Sequence, residues 1–206
     1  MEKKLPIFKL TINPEDETGV DYVALVDSPA IEKNWVAFSK QKEFKFKQLD
    51  KEKRIISGAL MIADLPIYRN DNKFGEYYVI FERDTIEQII YKFFKHGNVA
   101  NTNAMHDKNR KLDGVYMIES FIIDSQKGVN TPLGHDDLPD GSWFGSFKVD
   151  NDEVWNDFIK TGIFKGFSVE GMFDQELMTE QPQDEVEEII QQIHNLTDMI
   201  NKIAHK

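Results

Sequence analysis

The sequence predicts a mainly-β domain of the α+β class, an antiparallel barrel or sandwich with helices on its outside, followed by a C-terminal amphipathic helix. Three observations carry that expectation. Runs rich in β-branched and aromatic residues, bounded by polar turns, recur along the first 173 positions. Two stretches among them keep a helical period, and they fall between strands without regular βαβ alternation. From Val186 onward the apolar residues follow a heptad seam instead.

Taken in order, residues 6–12 read as a strand, 13–19 as a polar turn and 21–26 (DYVALV) as a second strand. Residues 35–38 and 44–46 are short alternating pieces, and 54–62 (RIISGALMI) is a longer β-branched run. Residues 66–69 and the loop NDNKFG lead into another strand over 76–81 (EYYVIF). The spacing then predicts a helix over 85–95. Asp84 and Glu87 fit a capping box, Ile86, Ile89, Ile90 and Phe93 form one stripe, and Gly97 marks the stop. A second helix is expected over 151–160, with Asp150 and Glu153 at the same capping spacing, Val154, Trp155, Phe158 and Ile159 as its stripe, and Gly162 closing it.

Residues 115–123 (VYMIESFII) and 142–149 (SWFGSFKV) read as strands between the two helices, joined by a long polar loop over 124–141. After Phe173 the chain turns acidic, contains Pro182 and reads as a linker. In the tail Val186, Ile189, Ile193, Leu196, Ile200 and Ile203 are spaced 3-4-3-4-3. That seam suits packing on the domain, or a coiled coil with itself or a partner helix. The expected organisation is a barrel domain over 1–173, an acidic linker over 174–188 and a helix over 189–206.

Charge and composition narrow the function. With 25 basic and 36 acidic residues the net charge is -11, a surface that repels phosphate backbones, so nucleic acid is not an expected partner. The chain has no cysteine, which excludes thiol catalysis, disulfides and thiolate metal sites. No run reaches the roughly 18 apolar residues of a membrane span, and the start lacks a signal-like apolar stretch. A soluble intracellular protein without a membrane partner is expected.

Among residues able to do chemistry, Ser168 stands out in 163–173 (IFKGFSVEGMF). Ile163, Phe167, Val169 and Phe173 alternate as one apolar set, which leaves Ser168 on the other side between Gly166 and Glu170. A serine hydroxyl needs a base to take its proton and a third group to hold that base. Glycines beside it allow close approach of substrate, and nearby backbone N–H groups can hold an oxyanion. His106 ends the run VANTNAMHD, in which small and polar residues alternate. Glu119 shares an alternating set with Val115, Met117, Phe121 and Ile123, so it is either paired, exposed by a register break, or kept to orient a basic side chain. His96, His194 and His205 lie on expected helices, and His135 heads the polar turn GHDDLPDG. A metal-dependent hydrolase using His106, Asp107 and the 135–137 cluster is a weaker option, because the spacing matches no defined cation loop. No cofactor is implied.

An ordered series of segments adds to this reading: LPIFKLTINPEDETGVDYVALVDSPAI, IISGALMIADLPIYR, EYYVIF, NAMHD, GVYMIESFIID and GSWFGSFKVDNDEVWNDFIKTGIFKGFSVEGMF. Together they resemble the XkdF-like group of phage prohead proteases, the serine peptidases that mature the capsids of tailed phages, over nearly all of residues 5–173. The resemblance implies a herpesvirus-assemblin-like antiparallel β-barrel wrapped by helices. It also implies a serine endopeptidase, with Ser168 in KGFSVEG as nucleophile and His106 in NAMHD as base. For the third member Glu119 is favoured, with Glu170 and Asp107 as competitors. The implied partners are the scaffold, the major capsid protein and the protease itself, inside assembling proheads in the host cytoplasm, with self-association through the tail helix as an option. The alternative is a non-catalytic head-assembly barrel that binds scaffold through that helix.

Overall fold

The computed structural model describes residues 5–27, 45, 47–135 and 138–178. The strands expected at 35–38 and 44–46, apart from Lys45, and the helix expected over 189–206 lie outside the described residues. The chain divides into a compact unit, Met1–Glu176, and a second unit, Leu177–Lys206.

Twelve strands are described: β1 (Ile7–Thr11), β2 (Gly19–Val26), β3 (Lys47–Asp50), β4 (Ile55–Met61), β5 (Ile67–Asp71), β6 (Gly75–Ile80), β7 (Thr102–Ala104), β8 (Asp107–Lys111), β9 (Val115–Ile122), β10 (Trp143–Val149), β11 (Gly166–Met172) and β12 (Asp174–Leu177). They form three four-stranded sheets with the orders β12-β1-β6-β5, β3-β4-β10-β9 and β11-β2-β7-β8. This overturns the closed antiparallel barrel. Each sheet ends in two edges, and the pairings β1–β6 and β2–β7 are parallel. Alternation marks a strand but does not name its partner. Parallel neighbours need a long crossover; residues 12–74 supply it between β1 and β6, and residues 27–101, which include the helix, between β2 and β7.

Nor is the fold wrapped by helices. Among the described residues the one α-helix is α1 (Arg83–Lys95), beside short 3₁₀ turns and a π-helical segment, Val154–Ile159. α1 begins before the expected capping box. Glu82 is its N-cap with no side-chain bond, Asp84 lies in the first turn, and His96 caps the end before left-handed Gly97. Its stripe Ile86, Ile89, Ile90 and Phe93 is buried, and Phe93 meets Trp143 edge-on at 5.2 Å. Over 151–160 the i→i−5 bond from Lys160 N to Trp155 O makes the segment π-helical, while Asn151 Oδ1 accepts from Val154 N. The wider turn buries Val154, Trp155 and Ile159 together.

One core cluster draws on all three sheets and α1, with Phe8, Val23, Leu25, Ile56, Val79, Phe147 and Phe167 among its members. Each such side chain contributes about 1.5–3 kcal/mol on burial. α1 is also tied down by a cation. Buried Lys92 donates through Nζ to the carbonyls of Asn13, Asp16 and Thr18 at 2.8, 2.6 and 2.5 Å, so the β1–β2 turn is pinned to the helix. The segment 174–188, expected as linker, opens with β12 beside β1.

The loop expected over 124–141 is anchored at its base. Asp124 accepts from Arg83 Nη2 at 2.7 Å and from Lys127 N, and Asp140 accepts from the Ser125 hydroxyl and amide. The Lys127 side chain first, then Arg83, hold the Asp124 carboxyl below the usual carboxylate range. A folded-state value below the unfolded one gives stability that is complete above the unfolded pKa, about 4, and lost as pH falls through the folded one. Asp124→Asn should therefore be less stable than wild type at neutral pH and show a flatter decline in thermal midpoint on acidification. Parallel curves for the two proteins would refute this role.

Candidate active site

β2 is the central support of the site. It pairs antiparallel with β11 and parallel with β7, which places Ser168, Ala24 and Asn103 in one row of Cα partners. Residues directly opposite share a sheet face, so Ser168 and Asn103 project to the same side, as does Glu170, two positions along β11. On the other side Phe167, Leu25, Val23 and Ala104 enter the core, and the Phe167 and Phe147 rings lie 4.8 Å apart. Both sides of the row are covered: Ser168 is 7 % exposed, and Ala24 and Asn103 are fully buried. The alternation had put Ser168 on the less apolar side but gave no sign of that cover. Among the described residues Ser168 Oγ has no hydrogen-bond partner.

His106 occupies the turn between β7 and β8. Ala104 pairs with Asp107, and the two residues between them, Met105 and His106, have φ values of 57° and 59°. A two-residue hairpin of this kind normally takes glycine or asparagine. Holding a larger residue in the left-handed region costs about 1–2 kcal/mol each. The turn is secured by Met105 N donating to Leu25 O and by Asp27 N donating to Met105 Sδ. The His106 ring stands 42 % exposed, with Nδ1 3.6 Å from Glu170 Oε2.

Glu170 is the carboxylate of the cluster. Its Oε2 also accepts from Asn103 Nδ2 at 3.0 Å, and Lys108 Nζ lies 3.7 Å from Oε1. Asn103 Oδ1 is buried without a partner. Gly171 sets the local path of β11. Register with β2 shifts between Glu170 and Gly171, and a Cβ at 171 would stand 1.7 Å from the Gly19 carbonyl oxygen.

Ser168, Glu170 and His106 belong to one sheet, with His106 beside Glu170, whereas Glu119 belongs to another. Glu119 lies on β9 in another sheet, where its Oε2 accepts from Ser146 Oγ at 2.5 Å, and Ser146 in turn accepts from Ser57 Oγ at 2.6 Å. The apolar set that singled it out is broken by a β-bulge. Ser146 pairs with Glu119 but Phe147 pairs with Met117, so exposed Ile118 is inserted and Glu119 turns to the face opposite Met117. Asp107 turns to its own strand, accepting from Asn109 N. His135 is buried edge-on against Phe144, and Asp136 and Asp137 lie outside the described residues. No group of three or more histidine, aspartate or glutamate side chains that could hold a metal ion occurs among the described residues. Asn103 and Lys108 were not anticipated. In sequence Asn103 is one polar residue in a short run, and its partner is 67 positions away.

A cavity of about 330 Å³ opens beside Ser168 and Glu170. Its wall is largely apolar, including Leu10, Leu60, Ile67, Val79 and Phe81, with Arg69, Tyr77 and Gln175 as further polar members. The Tyr77 hydroxyl donates to Asp71 Oδ2 at 2.6 Å, which keeps the phenol above its usual range and uncharged.

No helix among the described residues is long and apolar enough to cross a membrane. No curated protein and no solved structure matches the chain. Residues 41–176 match the model of the family described as "Putative phage serine protease XkdF", a span that holds Ser168, His106, Glu170, Asn103 and Glu119. The chain belongs to that family of phage serine proteases.

Proposed function

We propose that the protein is a serine endopeptidase of phage head maturation, cleaving scaffold and the N-terminal part of the major capsid protein, and itself, inside the assembling head in the host cytoplasm. Ser168 attacks the peptide carbonyl. His106 takes its proton as general base and returns it to the leaving amine. Glu170, rather than Glu119, orients the imidazole.

The observation that carries this reading is the contact between His106 Nδ1 and Glu170 Oε2, at 3.6 Å, two residues from Ser168 on the same face. A carboxylate on the Nδ1 side leaves Nε2 for the serine, which is the tautomer a general base needs. The distance is long for a hydrogen bond, and catalytic contacts of this kind tighten when substrate binds. The ring is 42 % exposed on a two-residue turn, and the mechanism requires it to swing to Ser168 Oγ. Asn103 acts as a positioning residue, fixing Oε2 through its amide. Fold membership alone does not establish catalysis, so the reading stands on this cluster.

Three outcomes test it. Incubated with the cognate scaffold and capsid proteins and followed by mass spectrometry, Ser168→Ala should lose cleavage by about 1000-fold or more. Undiminished cleavage by that variant would remove Ser168 from the mechanism. Glu170→Gln should lower kcat/KM by about 100-fold or more, because the imidazole loses its orienting partner. A larger loss in Glu119→Gln than in Glu170→Gln would return the orienting role to Glu119. His106→Gly should abolish cleavage while the thermal midpoint holds or rises, since glycine relieves a left-handed position worth about 1–2 kcal/mol. A large fall in midpoint would show that His106 is retained for stability.

A further inference from the structure

The walls of the cavity beside Ser168 have an unusual composition of neighbours. Five successive residues of β11, from Phe167 to Gly171, line it. Successive side chains of a strand point to opposite faces, so a space touching five in a row runs along the strand's edge, where the main-chain N–H and C=O groups point. β11 is a terminal strand of its sheet, paired with β2 on one side only. The opposite wall repeats the pattern. Four successive residues, Ala59 to Ile62, line the cavity from the end of β4. β3 pairs with β4 only at Ile55, Ile56 and Ser57, so the rest of β4 has no strand on that side among the described residues. Two strand edges, one of them carrying Ser168, thus face the same cleft.

Exposed strand edges are templates for another extended segment. We infer that the cleft is the substrate groove, in which an extended peptide adds as a strand to the free edge of β11 and lowers one bulky, uncharged apolar side chain into the cavity. This rests on the serine-endopeptidase reading above and names the substrate class of that site. Charge supports a neutral occupant. The lining holds one cation, Arg69, and one anion, Glu170, in a chain whose net charge is -11. Size supports a bulky one, because about 330 Å³ is the lower range of ligand pockets. Ser168, second of the five lining residues, then stands beside the main chain of the added strand, where the bond to be cut lies.

Binding and cleavage separate the two readings. A pool of random-sequence peptides is passed over immobilised Ser168→Ala protein, and the retained peptides are sequenced and then given to wild type. Retention should select peptides with leucine, isoleucine, methionine or phenylalanine at one fixed position. Adding Ile67→Trp, which fills the cavity from half-buried β5, should shift that position to alanine or glycine and lower retention of the bulky peptides by at least about 10-fold. Circular dichroism of both variants checks that they remain folded. No retained peptide, retention without a positional apolar preference, or the same preference after Ile67→Trp in a folded protein would overturn the groove. Retained peptides with the apolar position that wild type leaves uncut would instead overturn the endopeptidase reading and leave the groove standing as a peptide-binding cleft.

Discussion

The register of β2 between β11 and β7 is the constraint on which the site depends. Ala24 faces Ser168 on one side and Asn103 on the other, so one fully buried alanine sets the lateral distance between the serine and the residue that holds Glu170. A slip of one residue would send Ser168 into the core and Phe167 to the outer side. The slip is opposed by Val23, Leu25 and Phe167, which are buried on the core face. At the far end Gly171 and the Gly19 carbonyl touch too closely for any side chain, which fixes the end of the pairing. Packing and chemistry thus share one alignment. The core face supplies the energy, and the outer face carries the groups proposed to react.

That arrangement also accounts for what the sequence could and could not reveal. Strands rich in β-branched and aromatic residues, such as β4, β6 and β10, were legible because both their composition and their turns point the same way. β7 and β8 were not. Asn103, Lys108, Asn109, Arg110 and Lys111 give no apolar period; β7 exists because β2 offers it a partner, and β8 because β7 does. The same tertiary origin explains the sheets: no local pattern announces that β2 and β7 run parallel. Ser168 and His106 were singled out by resemblance, whereas Glu119 was singled out by a rule applied without its exception. Period two assigns Glu119 to an apolar face, and one inserted residue, Ile118, reverses that assignment. Glu170 ranks in the sequence only as a competitor of Glu119. The positive φ at Met105 and His106 turns the hairpin so that the ring meets Glu170.

The turn illustrates how strain is maintained at the position of the proposed base. Two non-glycine residues in the left-handed region persist because the surrounding bonds from Leu25 and Asp27 determine the backbone. The buried amide of Asn103 has a comparable cost. One end satisfies Glu170 while Oδ1 goes without a partner, a deficit of about 1–3 kcal/mol that a residue kept for stability alone would not carry. Strain at His106 and the unsatisfied Asn103 amide meet at the same carboxylate.

A fluorophosphonate probe gives the most direct test of an activated serine, because it labels a hydroxyl only where a base draws off its proton. After reaction with the wild-type protein, peptide mapping should find the label on Ser168, and His106→Gln should slow labelling by about 100-fold or more. Label on Ser146 instead, or labelling of Ser168 that proceeds equally fast without His106, would contradict the assignment of nucleophile and base.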